Sequence, residues 1–333
     1  MARQVTIQDI SRAAGTSPST VSRVLTGNAA VSPTKRAAVE QAIKQLNYRP
    51  NHIARSLKTS TTYSVGLLLN EINNPFYSAL ARGVEEEANR HGYSLILCNT
   101  NEDPARECQY LQVLEDKQVD GIILGPTGEN LDYITQLASR RPIVQVDRQL
   151  QSLDLTAVLV DNEHGAYQAV RYLIEKGHRR IGIFQWERYV PTLARRQAGY
   201  ERALAESGIE LDSSLIVRVP SLTPLQTAER AQEFLTQHSR PTALFALNNQ
   251  IGLGMYSAIQ RLGLRIPEDV ALVVFDDLDF FAMVRPSITA VAQPAFSIGE
   301  QAMRSLTRQI EENDRCAPEV ITLPTQLMIR ESA

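Results

Sequence analysis

Cysteine is scarce in this chain: Cys98, Cys108 and Cys316 are the only three in 333 residues. An odd, sparse set without metal-ligand spacing argues against a disulfide framework and a metal site, and fits a reducing cytosol. Long apolar runs are also missing. No stretch approaches the roughly 18 consecutive apolar residues of a membrane span. The opening "MARQVTIQDI" lacks the apolar core of a secretion signal. The expectation is a cytoplasmic protein with no membrane partner. Catalytic signatures are absent too: no GxSxG, no GKS/T phosphate loop and no HExxH. The five histidines, His52, His91, His164, His178 and His238, are scattered, and His178 follows a helix-breaking Gly177. "GLGMYS" at Gly252–Ser257 looks like part of a glycine-rich loop but falls inside a helical pattern. No enzyme, cofactor or metal is expected.

Acids are nearly missing from the first sixty positions, which hold nine Lys or Arg against Asp9 and Glu40 alone. The net charge of −3 therefore hides a basic N-terminal module joined to an acidic body. Such asymmetry points to a nucleic-acid footprint at one end. A solvated basic face is the plainer explanation, and charge alone does not choose.

Three helices are predicted in that module. "TIQDISRAA" takes Thr6 as N-cap, turns Ile7, Ile10 and Ala14 inward, and is broken by Gly15. "SPSTVSRVL" starts with Ser17 as cap and Pro18 at the first helical position. Its Val21, Val24 and Leu25 share one face, so Ser19, Thr20, Ser22 and Arg23 point outward. "SPTKRAAVEQAIKQL" repeats the Ser-Pro start, with Val39, Ile43 and Leu46 inward. Two short helices around a tight turn, backed by a third, make a helix-turn-helix. Short hydroxyls and one Arg on the outward face suit phosphates and base edges. Next comes "NHIARSLKTS", where Asn51 caps a half-apolar helix carrying Ile53, Ala54 and Leu57, with Arg55 and Lys58 its only charges. Two turns are too few to persist alone in water.

The run from "VTIQDISRAAGTSPSTVSRVL" through "NYRPNHIARSLKTSTTYSVGLLL" resembles the N-terminus of a lactose-repressor (LacI) family transcription regulator. The resemblance implies that Ser17–Leu25 is the recognition helix, with Pro18, Ser19 and Arg23 facing bases and Thr20 assisting. It also implies DNA contacts from Thr6, Ser17, Ser22 and Asn28. The short helix would be the family's hinge helix, which forms when two chains lie side by side on operator DNA. Leu57 would be the wedge inserted from the minor groove, which unstacks a step and bends the duplex. Ala54 would sit at the groove floor, with Asn51, Arg55 and Lys58 reaching backbone or base edges. The expected partition is a helix-turn-helix domain over 1–50, a hinge over 51–62 and an effector-binding body over 63–333.

In the body, short apolar runs alternate with amphipathic stretches. "YSVGLLLN", "YSLILCNT", "VDGIILG", "RPIVQVD" and "TAVLVDN" form one set; "RRIGIF", "SLIVRV", "TALFAL", "DVALVVFDD" and "ITAVAQ" form a second. Buried strands alternating with helices predict parallel α/β sheets, here two doubly wound subdomains. Ligands bind such sheets at the carboxyl ends of the strands, and five of those ends are polar: Asn70, Asp147-Arg148, Asp161-Asn162, Asn248-Asn249 and Asp276-Asp277.

The segments "NEINNPFYSALARGVEEEA", "PIVQVDRQ", "ARRQAGYERAL", "ALFALNNQIGLG" and "DVALVVFDDLD" look like the LacI family's effector-binding core, shaped like a type I periplasmic sugar-binding protein. This implies ligand contacts from Asn74, Phe76, Asp147, Arg148, Arg196, Asn248, Asp276 and Gln293. Phe76 would be an aromatic platform, and the arginines and carboxylates would hold hydroxyls. The sequence departs from the family pattern at Asn249, commonly Asp, and Val274, commonly Gly, and both are expected to alter the pocket. Trp186 and Glu187 lie at the cleft mouth or in the core. The favoured ligand is a sugar or sugar derivative. The two arginines also admit a sugar acid, and a purine fits less well.

Two function classes compete: an effector-controlled DNA-binding repressor, and a sugar-binding receptor or enzyme with an unrelated basic extension. The missing signal and catalytic motifs favour the first. A paired hinge implies a homodimer on a palindromic site. The chain stops after "LPTQLMIRESA" without a heptad-bearing helix, so no coiled-coil tetramer is expected.

Overall fold

The computed structural model describes residues 5–25, 31–48, 61–237, 240–312 and 317–333. Two compact units part between Thr62 and Tyr63.

In the first unit, α1 (Ile7–Ala13), α2 (Pro18–Leu25) and α3 (Pro33–Gln45) follow the predicted order. Thr6 closes a capping box with Asp9: its side chain receives the Asp9 N–H and the Asp9 carboxylate receives its backbone N–H. The Thr20 N–H donates to Ser17 Oγ at 3.2 Å, so Ser17 caps α2. Ile10, Val21, Val24, Val31, Val39, Ala42 and Tyr48 form the core. Leu46 departs from expectation. It is the C-cap of α3 and 36% exposed, because the chain leaves the helix there and Tyr48 turns back into the core instead. Asn28 and the hinge residues Asn51, Ala54, Arg55, Leu57 and Lys58 lie outside the described residues.

The second unit holds two sheets. β1 (Ser64–Leu69), α4 (Pro75–Arg90), β2 (Ser94–Asn99), α5 (Pro104–Asp116), β3 (Gly121–Leu124), α6 (Leu131–Ala138), β4 (Ile143–Val146) and β5 (Ala157–Val160) build the first subdomain. After α7 (Asn162–Glu175) come β6 (Ile181–Trp186), α8 (Pro191–Glu206), β7 (Ile216–Val219), α9 (Pro224–Leu235), β8 (Ala243–Ala246), α10 (Asn249–Arg261), β9 (Ala271–Phe275), α11 (Asp279–Met283) and β10 (Thr289–Ala292). The chain then returns through α12 (Ala295–Glu311) and β11 (Val320–Leu323), and ends with β12 (Gln326–Met328). The sheet orders are β11-β5-β4-β3-β1-β2 and β12-β10-β9-β8-β6-β7. All pairs are parallel except β10 with β12.

Alternation along β1 shows why both faces are covered. Leu67 and Leu69 enter a core shared with α4 and α12, whereas Leu68 enters the one shared with α5. The second sheet is likewise flanked by α7 and α8 on one face and α9 and α10 on the other. "GLGMYS" lies within α10, where Gly254 lets the helix approach the Pro224 carbonyl.

The subdomains are interleaved rather than consecutive. The chain crosses between β5 and α7, between β10 and α12, and between β11 and β12. Three crossings side by side leave the two sheets joined by a short hinge with a cleft at their carboxyl ends.

Candidate functional site

A cavity of about 380 Å³ opens between the subdomains. The carboxyl ends of β1, β2, β4, β6, β8 and β9 converge on it, as the topology of open α/β sheets requires. All eight residues singled out from the sequence line it: Asn74, Phe76, Asp147 and Arg148 from the first subdomain; Arg196, Asn248, Asp276 and Gln293 from the second or its edge.

Each is positioned by local structure. Asn74 caps α4, accepting the Phe76 N–H at 3.1 Å, which sets Phe76 at the first turn. Asn248 caps α10 through the Ile251 N–H at 2.9 Å. Asp147 and Asp276 each follow directly on the last residue of β4 and β9, and both adopt left-handed backbone, φ 64° and 76°. Non-glycine residues rarely sit there; at both places the turn carries the carboxylate toward the cleft.

The charges are partnered. Asp147 accepts the Tyr77 hydroxyl at 2.9 Å and lies 3.5 Å from Arg148 Nε. Burial pushes its carboxyl above the usual range, with Arg148 and Arg196 opposing. Arg148 donates through both Nη atoms to Glu102, one at 2.8 Å. Arg196 donates from Nε to Asn162 at 2.8 Å and from Nη1 to the Leu247 carbonyl at 2.6 Å. It stands 3.7 Å from Asp276 and stacks 3.7 Å above the centre of the Phe275 ring. Burial lowers its pKa, opposed by Asp276 and Asp147. Gln293 donates to Asp276.

On the helix-turn-helix unit, Ser17, Pro18, Ser19 and Arg23 are exposed and Thr20 and Ser22 half-buried, with Ser19, Ser22 and Arg23 on the side of α2 away from the buried Val21 and Val24. Thr6 is exposed at the start of α1.

Residues 6–51 match the model described as bacterial regulatory proteins of the lacI family. Residues 62–331 match that of periplasmic binding proteins and the sugar binding domain of the LacI family. The chain belongs to the LacI family. This LacI-family chain is 35% identical to catabolite control protein A of Priestia megaterium over 330 residues, 98% of this chain and 99% of that protein. It is 36% identical to the ribose operon repressor of Haemophilus influenzae over 328 residues, 98% of each. A solved complex of the transcriptional regulator CelR with cellobiose is similar at TM-score 0.74 and 30% identity, over 99% of this chain and 100% of that one. The LacI-family chain is a DNA-binding transcription regulator and not an enzyme.

Neither departure from the family pattern lines the cavity. Asn249 is fully buried at the start of α10 and donates to Asn74 Oδ1 at 2.8 Å, tying the subdomains together. Val274 is a core residue whose bulk is met by Gly252; a Cβ there would fall 2.4 Å from Val274 Cγ1. Trp186 does both things expected of it, lining the cavity while packing against the core of its subdomain. Glu187 does not line the cavity. Asp161 and Asp277 serve the fold and do not line the cavity. Asp161 caps α7 through the His164 N–H, and Asp277 is paired with Arg330 at 2.7 Å.

Glu102, Tyr77, Glu71 and Asn101 also face the cleft and were not found from sequence. Tyr77 reads as a helix residue beside Phe76. Glu102 lies in "NTNEDP", indistinguishable from a polar turn. Arg188 reaches from the other subdomain to the Glu102 carbonyl at 2.7 Å. Among the described residues no His, Cys, Asp or Glu group is placed to hold a metal ion, and no helix is long and apolar enough to cross a membrane.

Proposed function

We propose that the chain is a cytoplasmic repressor that binds a palindromic operator as a homodimer, with its affinity set by a small sugar or sugar derivative in the interdomain cleft. The observation that carries this reading is the cleft itself. Polar groups from both subdomains converge on one 380 Å³ cavity, near the lower end of the roughly 300–1,000 Å³ of small-ligand sites. A ligand touching both sets would favour one closure angle. Only such differential binding can change operator affinity. The names of the ribose repressor and of the cellobiose complex support a sugar.

Two measurements test it. A ligand of the folded state raises the melting temperature, by the equivalent of about 2.7 kcal/mol at a hundredfold excess over Kd. A thermal-shift screen of neutral mono- and disaccharides on the full chain should give hits. An operator titration with each hit should then show a changed affinity. A hit that leaves operator binding unchanged overturns the coupling.

Operator binding should also fall steeply with salt. Each phosphate neutralised by the basic modules contributes about −0.9 to the log–log slope. A flat response would remove DNA binding from this module.

Leu57→Ala should weaken operator binding by roughly 1–3 kcal/mol and reduce bending, because unstacking a step by a wedge is worth a few kcal/mol. If bending and affinity survive, Leu57 is linker only.

A further inference from the structure

We propose that Glu102 determines ligand specificity in the cleft: by clamping Arg148 it makes the site take neutral polyhydroxyl ligands and reject sugar acids and sugar phosphates. This rests on the sugar-effector reading above and names the class of sugar.

Glu102 follows β2 in left-handed backbone, φ 57°, directly after Asn101 at φ 53°. Two successive non-glycine residues in that region mark a loop held in place by its contacts. The contacts are clear. Both Nη atoms of Arg148 donate to the Glu102 carboxylate, a fork-to-fork pair. Asn70 Nδ2 adds a third bond at 3.0 Å, and the backbone carbonyl of Glu102 receives Arg188 from the opposite subdomain. Glu102 is thus pinned at side chain and main chain. Burial alone would raise its pKa, but the bonds from Arg148 and Asn70 hold it below the usual carboxylate value. It stays ionised, and it lines the cavity.

The consequence is electrostatic. Acids lining the cavity outnumber bases four to two: Glu71, Glu102, Asp147 and Asp276 against Arg148 and Arg196. Each guanidinium already faces a carboxylate, Glu102 for Arg148 and Asp276 for Arg196. An incoming carboxylate or phosphate would meet balanced cations and surplus negative charge. A hydroxyl meets partners instead. It can donate to Asp147 or Asp276, and Gln293 Oε1 is a buried acceptor without a hydrogen-bond partner. That acceptor lines the same cavity and calls for a donor, which sugar hydroxyls supply and an anionic group itself does not; the one unpaired donor on the same wall, Arg148 Nε, already faces the Asp147 carboxylate at 3.5 Å. Rejection here works through repulsion as much as attraction.

The test is calorimetric titration and thermal shift on the full chain. The ligands are a panel of neutral sugars, each paired with its uronic acid or phosphate ester, such as glucose with glucuronate and ribose with ribose 5-phosphate. Wild type should bind the neutral member of a responsive pair at least roughly tenfold tighter, since like charges placed together are strongly disfavoured. Glu102→Gln keeps the shape but frees the Arg148 fork. The preference should shrink by roughly tenfold or more toward the acidic member. Adding Arg148→Gln should erase that gain. A wild-type preference for the acidic member overturns the inference, as does an unchanged ratio in Glu102→Gln; either leaves the sugar reading standing. The wild-type ratio decides even if the variant folds poorly. If no member of any pair shifts the wild type, the sugar reading falls, and this inference with it.

Discussion

Arg196→Ala is expected to abolish the response to effector and to lower the melting temperature of the body by roughly 6–20 °C. The second effect follows from the first set of contacts. Arg196 is 3% exposed and holds Asn162, the Leu247 carbonyl and Asp276 while covering Phe275. Removing one member of a buried pair costs about 3–5 kcal/mol, because the other charge is left uncompensated. At this size each kcal/mol moves the midpoint by about 2–4 °C. The effector loses a donor and a correctly placed Asp276 together. Operator affinity without effector should stay near wild type, since Arg196 lies outside the basic module. Arg196→Lys keeps the charge but not the planar fork, so stability should recover in part while the response does not. The measurements are a thermal melt and an operator titration with and without a hit from the sugar screen. A wild-type response in Arg196→Ala would move the effector elsewhere.

Much of this was legible in the sequence because it is local. The Ser-Pro helix starts, the capping Thr6 and the strand-helix alternation are decided within a few residues. Asp147, Arg148, Asn248 and Asp276 could be placed because the carboxyl end of a parallel strand is a fixed place in the fold, whatever follows it; Asn74, Phe76, Arg196 and Gln293 came from the resemblance to the family alone. Three things were hidden, each for a physical reason. Glu102 acquires meaning only from Arg148, which reaches it from the end of β4, three strands from β2 in the sheet. The strands Val320–Leu323 and Gln326–Met328 are too short for a period to show, yet they supply the third crossing. The helix Ala295–Glu311 follows the second sheet in sequence but packs on the first, and no local signal states which core an amphipathic helix joins. Asn249 and Val274 were readable as departures from a pattern, but the residues they pack and bond against were not. Their compensating partners, Asn74 and Gly252, are fixed by tertiary contact.

The same helix carries the last prediction. Gly299→Val should destabilise the body by several kcal/mol, and even Gly299→Ala should destabilise it. The helices α4 and α12 meet through Gly83 and Gly299. A Cβ on Gly299 would lie 2.0 Å from the Leu80 carbonyl oxygen and 2.8 Å from the Val84 nitrogen; one on Gly83 would lie 2.0 Å from the Phe296 carbonyl oxygen. These are backbone atoms, which cannot turn aside as a side chain can. The helices would have to part, and with them the core formed by Leu80, Val84, Ile298, Ala302 and Met303. The sign is what makes the alanine variant informative. In a helix free of neighbours, glycine to alanine stabilises by about 1 kcal/mol, whereas overpacking costs about 1–3 kcal/mol and sometimes more. At 2.0 Å from backbone the second effect wins, so the urea midpoint should fall for alanine and fall further for valine. The cleft should feel it as well, because α4 begins at Asn74 and Phe76, and ligand affinity should drop along with stability. A higher midpoint in Gly299→Ala would show that the two helices do not touch through their backbones.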